Sequence, residues 1–298
     1  MSVHGRCYGF HRAALAAALV LTMAPAARTQ MLGGSRIEDT DPSVTYYGTW
    51  SINLNLNHSG GTAHLSTYPG ATATVPFTGT GIHWIGYQDQ WSGIASIFLD
   101  GDFLQTVDTY APSAQFQSLL YSIEGLPLGP HQLTIMALGV HDAAAAESWV
   151  WVDAFDVVNG TSGTASGDPW TTSTRSEETA PAVVLTGTWY SDSSPAFSGG
   201  AAVLSEEAGA RATFSFTGTR VRWIGYRDEY CGIGRVYLDG SLVAVYDTYA
   251  SPAQAQAVMF RTGALASGPH TLAVEATHTH LASATEKWVW VDAFDVVP

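Results

Sequence analysis

The chain has 298 residues, and its 26 acidic side chains against 12 basic ones give a net charge of −14. So few cations exclude a main role on a nucleic-acid backbone, and binding to anionic lipid is disfavoured for the same reason. At 46% hydrophobic the chain can fill packed cores, which excludes global disorder, yet only 13% is charged, against about 25% in ordinary soluble domains.

The first segment, 1–27, reads as a signal peptide. Arg6, His11 and Arg12 form a basic start, Ala13 to Met23 is apolar, and small residues at 24–27 suit cleavage. The apolar run is well short of the roughly 20 residues a membrane span needs, so a secreted or cell-surface location is expected. Cleavage removes Cys7 and leaves Cys231 alone, so an internal disulfide is not expected.

The remaining chain repeats itself. Gly48-Thr49-Trp50 returns as Gly187-Thr188-Trp189, Trp84-Ile85-Gly86-Tyr87 as Trp223-Ile224-Gly225-Tyr226, and Asp108-Thr109-Tyr110 as Asp247-Thr248-Tyr249, always 139 residues later. Trp149 to Val158 recurs unchanged as Trp288 to Val297. Units of this size are expected to be self-sufficient. They are taken as 36–158 and 175–298, joined by a flexible Gly/Ser/Thr-rich linker at 159–174.

Each unit reads as all-β. Strands are expected at 71–75, 94–99, 132–136 and 149–157. Asp100-Gly101 and Asp239-Gly240 predict tight hairpins, because both turn positions need positive φ. Gly79-Thr80 and Gly129-Pro130 mark further turns. In the Trp149–Phe155 run, strict alternation puts Trp149, Trp151, Asp153 and Phe155 on one face. Trp84 and Trp223, inside strands, are expected in the core.

The order of the GTW, WIGY, LDG, VDTY, GPH and VDAFDVV segments resembles carbohydrate-binding modules of the galactose-binding-domain-like superfamily. The resemblance covers both units and implies two tandem jelly-roll β-sandwich domains.

Three segments carry candidate ligand chemistry in each copy. After WIGY, Tyr87, Asp89 and Trp91 are matched by Tyr226, Asp228 and Tyr230; an aromatic plane and a carboxylate suit the C–H face and hydroxyls of a sugar. The alternative is that the aspartate caps its turn. His141 and Glu147, matched by His280 and Glu286, precede the last strand, and Asp108 and Tyr110, matched by Asp247 and Tyr249, end another. The superfamily resemblance also implies a structural calcium ion, for which Glu38, Asp39 and Asp153 in the first unit and Glu177, Glu178 and Asp292 in the second offer the oxygen ligands.

Between Gly48 and Val158 there is no Lys or Arg, whereas Arg227 replaces Gln88 beside the loop aspartate of the second copy. The first copy is therefore expected to prefer neutral glycans and the second to tolerate or prefer acidic ones. The expected function is an exported, non-catalytic protein that binds an oligo- or polysaccharide as a monomer of two modules, gaining avidity from the pair. Two alternatives stand beside it: a small secreted glycoside hydrolase or polysaccharide lyase, and a structural or adhesion protein of the cell envelope.

Overall fold

A computed structural model describes residues 34–164 and 167–298; the expected signal peptide and Cys7 lie outside the described residues. The described chain is all-β, with antiparallel sheets and three short 3-10 turns. The first repeat contains β1 (Ser35–Glu38), β2 (Thr45–Tyr47), β3 (Ser51–Leu54), β4 (Thr62–Ser66), β5 (Thr72–Gln88), β6 (Ile94–Leu99), β7 (Asp102–Asp108), β8 (Gln115–Ala137), β9 (Val150–Val152) and β10 (Ala154–Val158). They form a sheet ordered β1-β10-β5-β8-β6-β7, with β2 also on β5, and a small sheet β3-β4-β9.

The second repeat runs through β11 (Thr174–Glu177), β12 (Val183–Thr186), β13 (Tyr190–Ser193), β14 (Ala201–Ser205), β15 (Arg211–Gly218), β16 (Arg220–Arg227), β17 (Ile233–Leu238), β18 (Ser241–Asp247), β19 (Gln254–Arg261), β20 (Gly268–Ala276), β21 (Val289–Val291) and β22 (Ala293–Val297). Here the large sheet is divided into β11-β22-β16-β19 and β12-β15-β20-β17-β18, beside a small sheet β13-β14-β21. In the first repeat the turn signals at Gly79-Thr80 and Gly129-Pro130 do not break the ladder. Gly79 pairs with Gly129 and Thr78 with Pro130, and the register shifts between Gly79 and Gly81. The expected turns become a bend within two long strands.

The hairpin expectations hold. Asp100 and Asp239 have φ of 53° and 49°, and the following Gly101 and Gly240 have 84° and 82°. Trp84 and Trp223 are fully buried. The alternation expected along Trp149–Phe155 fails at Asp153, where the chain leaves the small sheet and joins the large one. Val150 and Val152 face inward before that residue, and Phe155 and Val157 do so after it. Asp153 is the extra residue that lets one run serve both sheets: its amide donates to the Ile85 carbonyl (3.0 Å), and its carbonyl accepts from the Asp39 amide (3.0 Å).

The two repeats are packed against each other, contrary to the expectation of a flexible pair. Phe98 and Phe103 of the first repeat belong to the same buried cluster as Phe260 and Val243 of the second. The Phe103 and Phe260 rings lie 5.9 Å apart. Ser96 Oγ donates to the Val243 carbonyl (2.8 Å), and Asp102 takes ion pairs from Arg261 (2.6 Å) and Arg220 (3.3 Å). The described end of the connector is held as well. Trp170, within the 3-10 turn Pro169–Thr172, is buried, and the Arg222 guanidinium stacks over its ring at 4.7 Å.

Candidate functional site

The three predicted segments converge in each repeat through backbone bonds. The turn after β5 presents the Gly93 carbonyl, which accepts from Thr109 N (3.0 Å) and Thr109 Oγ1 (2.7 Å). Gly93 N donates to the Trp149 carbonyl (2.8 Å), Trp149 N to the Trp91 carbonyl (3.1 Å), and Ala146 N to the Gln90 carbonyl (2.9 Å). The second repeat reproduces the set: Thr248 N and Oγ1 donate to the Gly232 carbonyl (2.9 and 2.7 Å), and Gly232 N to that of Trp288 (2.9 Å). A glycine is required at this crossing, since a Cβ on Gly93 would lie 2.6 Å from the Ser148 backbone, and one on Gly232 would lie 2.6 Å from that of Lys287.

The loop carboxylates first serve their own turns. Asp89 Oδ1 accepts from Trp91 N (2.8 Å) and Ser92 Oγ (3.0 Å). Asp228 Oδ1 accepts from Tyr230 N (2.9 Å), and the Cys231 thiol donates to it (3.1 Å). Asp108 and Asp247 accept in the same way from Tyr110 N (3.0 Å) and Tyr249 N (3.1 Å). These are Asx turns, in which the side chain stands in for a backbone acceptor. Cys231 occupies the place of Ser92, and burial, followed by the hydrogen bond to Asp228, pushes its thiol far up; a nucleophilic role has no support.

The aromatic residues divide between two environments. Trp91 and Tyr230 are exposed. Tyr87 instead turns into a nest with Phe116 (4.7 Å) and Trp151 (4.8 Å), and Tyr226 meets Trp290 at 5.1 Å and Phe197 at 5.6 Å. His141 and His280 are exposed, and each has Nδ1 against a neighbouring carbonyl, of Asp142 (2.8 Å) and Leu281 (2.7 Å). Glu147 and Glu286 are also exposed.

One concavity joins predicted residues to residues that sequence reasoning missed. A cleft of about 500 Å³ lies between the repeats, lined by Arg227, Asp247, Tyr249 and Ser283 from the second and by Tyr47, Gly70 and Thr72 from the first. Tyr47 OH donates to Asp247 Oδ2 (2.7 Å). Burial raises the Tyr47 pKa first, the Asp247 carboxylate raises it further, and Arg227 opposes them, so both charged groups act on one hydroxyl. Tyr47 carried no local motif; only its place opposite Asp247 gives it a part.

The expected metal ligands gather where the chain changes sheets. In the second repeat, ligand oxygens of Glu177, Glu178 and Asp292 all lie within 4.8 Å of one another. Ser198 ties two of them, its Oγ donating to Glu177 (3.0 Å) and its amide to Asp292 (2.9 Å). Glu177 Oε2 is buried without a partner among the described residues. Burial and the neighbouring carboxylates raise the pKa values of Glu178 and Asp292.

The first repeat arranges Glu38, Ser59 and Asp153 likewise, but Asp39 is already occupied. It accepts from Thr62 Oγ1 (2.7 Å) and lies 2.8 Å from His64 Nδ1. Ala201 and Val203 stand at the corresponding places in the second repeat and offer nothing to Glu178. A hard, oxygen-seeking cation fits the second cluster better than the first.

No known family model matches the chain. Over 243 residues it is 31% identical to a protein of Flavonifractor plautii named A type blood alpha-D-galactosamine galactosaminidase; the match covers 80% of this chain and 21% of that protein. Over 92 residues it is 41% identical to the same organism's A type blood N-acetyl-alpha-D-galactosamine deacetylase, covering 31% of this chain and 12% of that one. The chain thus spans about a fifth or less of the curated relatives it matches. Solved structures align loosely. A Paenibacillus xanthan lyase gives a TM-score of 0.32 at 14% identity, covering 85% of this chain and 25% of that one. The ANXUR1 extracellular domain of Arabidopsis thaliana gives 0.28 at 8%, covering 86% and 90%. The expectation of a non-catalytic binding protein is corrected by the sequence relatives, both of which are named as enzymes acting on an amino-galactose glycan.

Proposed function

We propose that this chain serves a glycan-hydrolysing enzyme whose substrate class is an oligosaccharide ending in an α-linked amino-galactose. The observation that carries this reading is the 243-residue match to the galactosaminidase. The loop crowns contribute groups suited to such a substrate: exposed Trp91 and Tyr230 offer apolar faces, and Asp89, Asp108, Asp228 and Asp247 lie on segments drawn together by backbone bonds. Glycosidic cleavage uses a pair of carboxyl groups roughly 5–10 Å apart, and the crown aspartates are the candidates for it.

The test is release of reducing sugar from A-type oligosaccharides by the full chain. Turnover that is lost in the Asp89→Asn/Asp228→Asn double variant supports the reading. Asparagine keeps the Oδ1 acceptor of each turn, so loss reports on chemistry rather than folding. No release from A-type oligosaccharides or from a mixed polysaccharide panel overturns it.

The same proposal includes a tandem jelly-roll architecture of the galactose-binding-like kind, supported by the large and small sheets of the first repeat and by the divided large sheet beside a small one in the second. It includes export, supported by the basic and then apolar start of the chain. It also includes a structural calcium ion held by Glu177, Glu178 and Asp292, supported by their mutual approach within 4.8 Å.

A further inference from the structure

We propose that the cleft between the repeats is a composite sugar site that takes an uncharged hexopyranose, and that the first repeat completes it. The inference rests on the glycan reading above and goes beyond it: the cleft holds a neutral sugar unit of the glycan rather than its terminal amino-galactose.

The guanidinium of Arg227 is fixed in place. Its Nη2 donates to the Tyr249 carbonyl (2.7 Å) and its Nε to that of Thr248 (3.4 Å). Its Nη1 has no partner among the described residues and remains a donor for a ligand. Asp247 is fixed as well, by Tyr249 N on Oδ1 (3.1 Å) and by Tyr47 OH on Oδ2 (2.7 Å). Each carboxylate oxygen accepts more than one hydrogen bond, so acceptor capacity remains.

Arg227 and Asp247 are the charged residues lining the cleft, and they are of opposite sign. A uronate or sulfate placed on Arg227 meets Asp247, and an ammonium placed on Asp247 meets Arg227. A neutral sugar avoids both conflicts, because one hydroxyl can accept from the guanidinium while another donates to the carboxylate. The Tyr47 and Tyr249 rings supply the apolar face that its C–H groups need. The volume of about 500 Å³ lies within the usual range of small-molecule pockets, roughly 300–1,000 Å³. Arg227 alone would suit an acidic ligand, but in this cleft Asp247 offsets its charge.

The site is not repeated. At the position equivalent to Arg227 the first repeat has Gln88, and at the position equivalent to Tyr47 the second repeat has Thr186. The duplicated halves therefore make one such cleft by facing each other rather than two by symmetry.

The experiment is titration calorimetry of the full chain with three sugars that share a galactose ring: methyl α-galactopyranoside, galactosamine and galacturonate. The neutral sugar is expected to bind at least tenfold more tightly than either charged one. Arg227→Gln is expected to weaken it about tenfold, the loss of a hydrogen bond to a charged group, and Tyr47→Phe several-fold, because Asp247 loses the hydroxyl that positions it. Both are titrated well below their own melting temperatures, since each also loses a contact within the fold. Thr186→Val, at the equivalent strand position, is expected to leave affinity unaltered. Binding of galacturonate as tight as the neutral sugar, or full affinity in both cleft variants, overturns the proposal. If the wild type hydrolyses A-type glycan yet binds no methyl galactoside, the cleft is refuted and the hydrolytic reading stands. If it binds the neutral sugar in the cleft but hydrolyses nothing, the reverse holds.

Discussion

Gly70 and Gly209 occupy the same place in their repeats and differ in one respect. Both have φ of +83°, and their amides make matching bonds, to the Ala137 carbonyl (2.8 Å) and the Ala276 carbonyl (2.9 Å). A Cβ on Gly70 would lie 2.8 Å from the Val245 carbonyl oxygen of the second repeat, whereas a Cβ on Gly209 would meet nothing within 4 Å. Alanine at either site bears the same left-handed strain of about 1–2 kcal/mol, so that contribution cancels in the comparison. The contact with Val245 adds a steric cost at Gly70 alone, about 1–3 kcal/mol for an overpacked site. Gly70→Ala is therefore expected to destabilise the chain by that much more than Gly209→Ala. Urea unfolding of both variants measures the difference, and a melting shift of roughly 2–4 °C per kcal/mol gives a second reading. Equal losses would refute the argument that the repeats press together at this edge.

Three further outcomes are expected. Asp295 is 2% exposed and accepts from both Arg175 (2.7 Å) and Arg222 (2.7 Å), whereas Asp156 pairs with Arg36 near solvent. Asp295→Asn should therefore cost about 3–5 kcal/mol in denaturant titrations, against about 0–1 for Asp156→Asn. Burial pushes Asp295 up, but its two arginines outweigh burial and hold its pKa below the usual carboxylate range. The stability it contributes is therefore present above the unfolded pKa and is lost as pH falls through the lower folded value; Asp295→Asn removes that loss.

Asp153 behaves oppositely. Burial, aided by Asp39 and Glu38, raises it to about 7, so in chelator its contribution is full below the unfolded pKa of about 3.9 and is lost as pH rises through about 7. Asp153→Asn should flatten the melting profile across that window, and an unchanged slope would count against the assignment. Calcium at 100 times its dissociation constant should stabilise the chain by about 2.7 kcal/mol. The Ala201→Thr/Val203→His double variant, which installs the first repeat's partners opposite Glu178, should abolish that gain; a retained melting shift would refute the assignment.

Much of the fold was legible locally. The 139-residue offset, the Asp-Gly hairpins and the burial of Trp84 and Trp223 follow from spacing, turn chemistry and strand periodicity, which are properties of neighbouring residues. The loop aspartates were legible as polar turn residues, but their occupation by Trp91 N and its counterparts depends on backbone geometry, which decides that the side chain caps before it can bind. Gly129-Pro130 looked like a break because its composition is that of a turn; the ladder opposite Gly79 and Thr78 absorbs it as a bend.

The sequence by itself determined two β-rich copies with acids at the first and last strands and an arginine in the second loop. Only the tertiary structure decided that Phe98 and Phe103 face Phe260 in a shared cluster. It also decided that Asp39 is occupied by His64 while Glu178 is not, and that Tyr47 reaches Asp247 across 200 positions of sequence. Periodicity says which face of a strand is apolar, but not which distant surface will cover it. That choice is made by packing between the repeats, and it creates the cleft that neither copy contains alone.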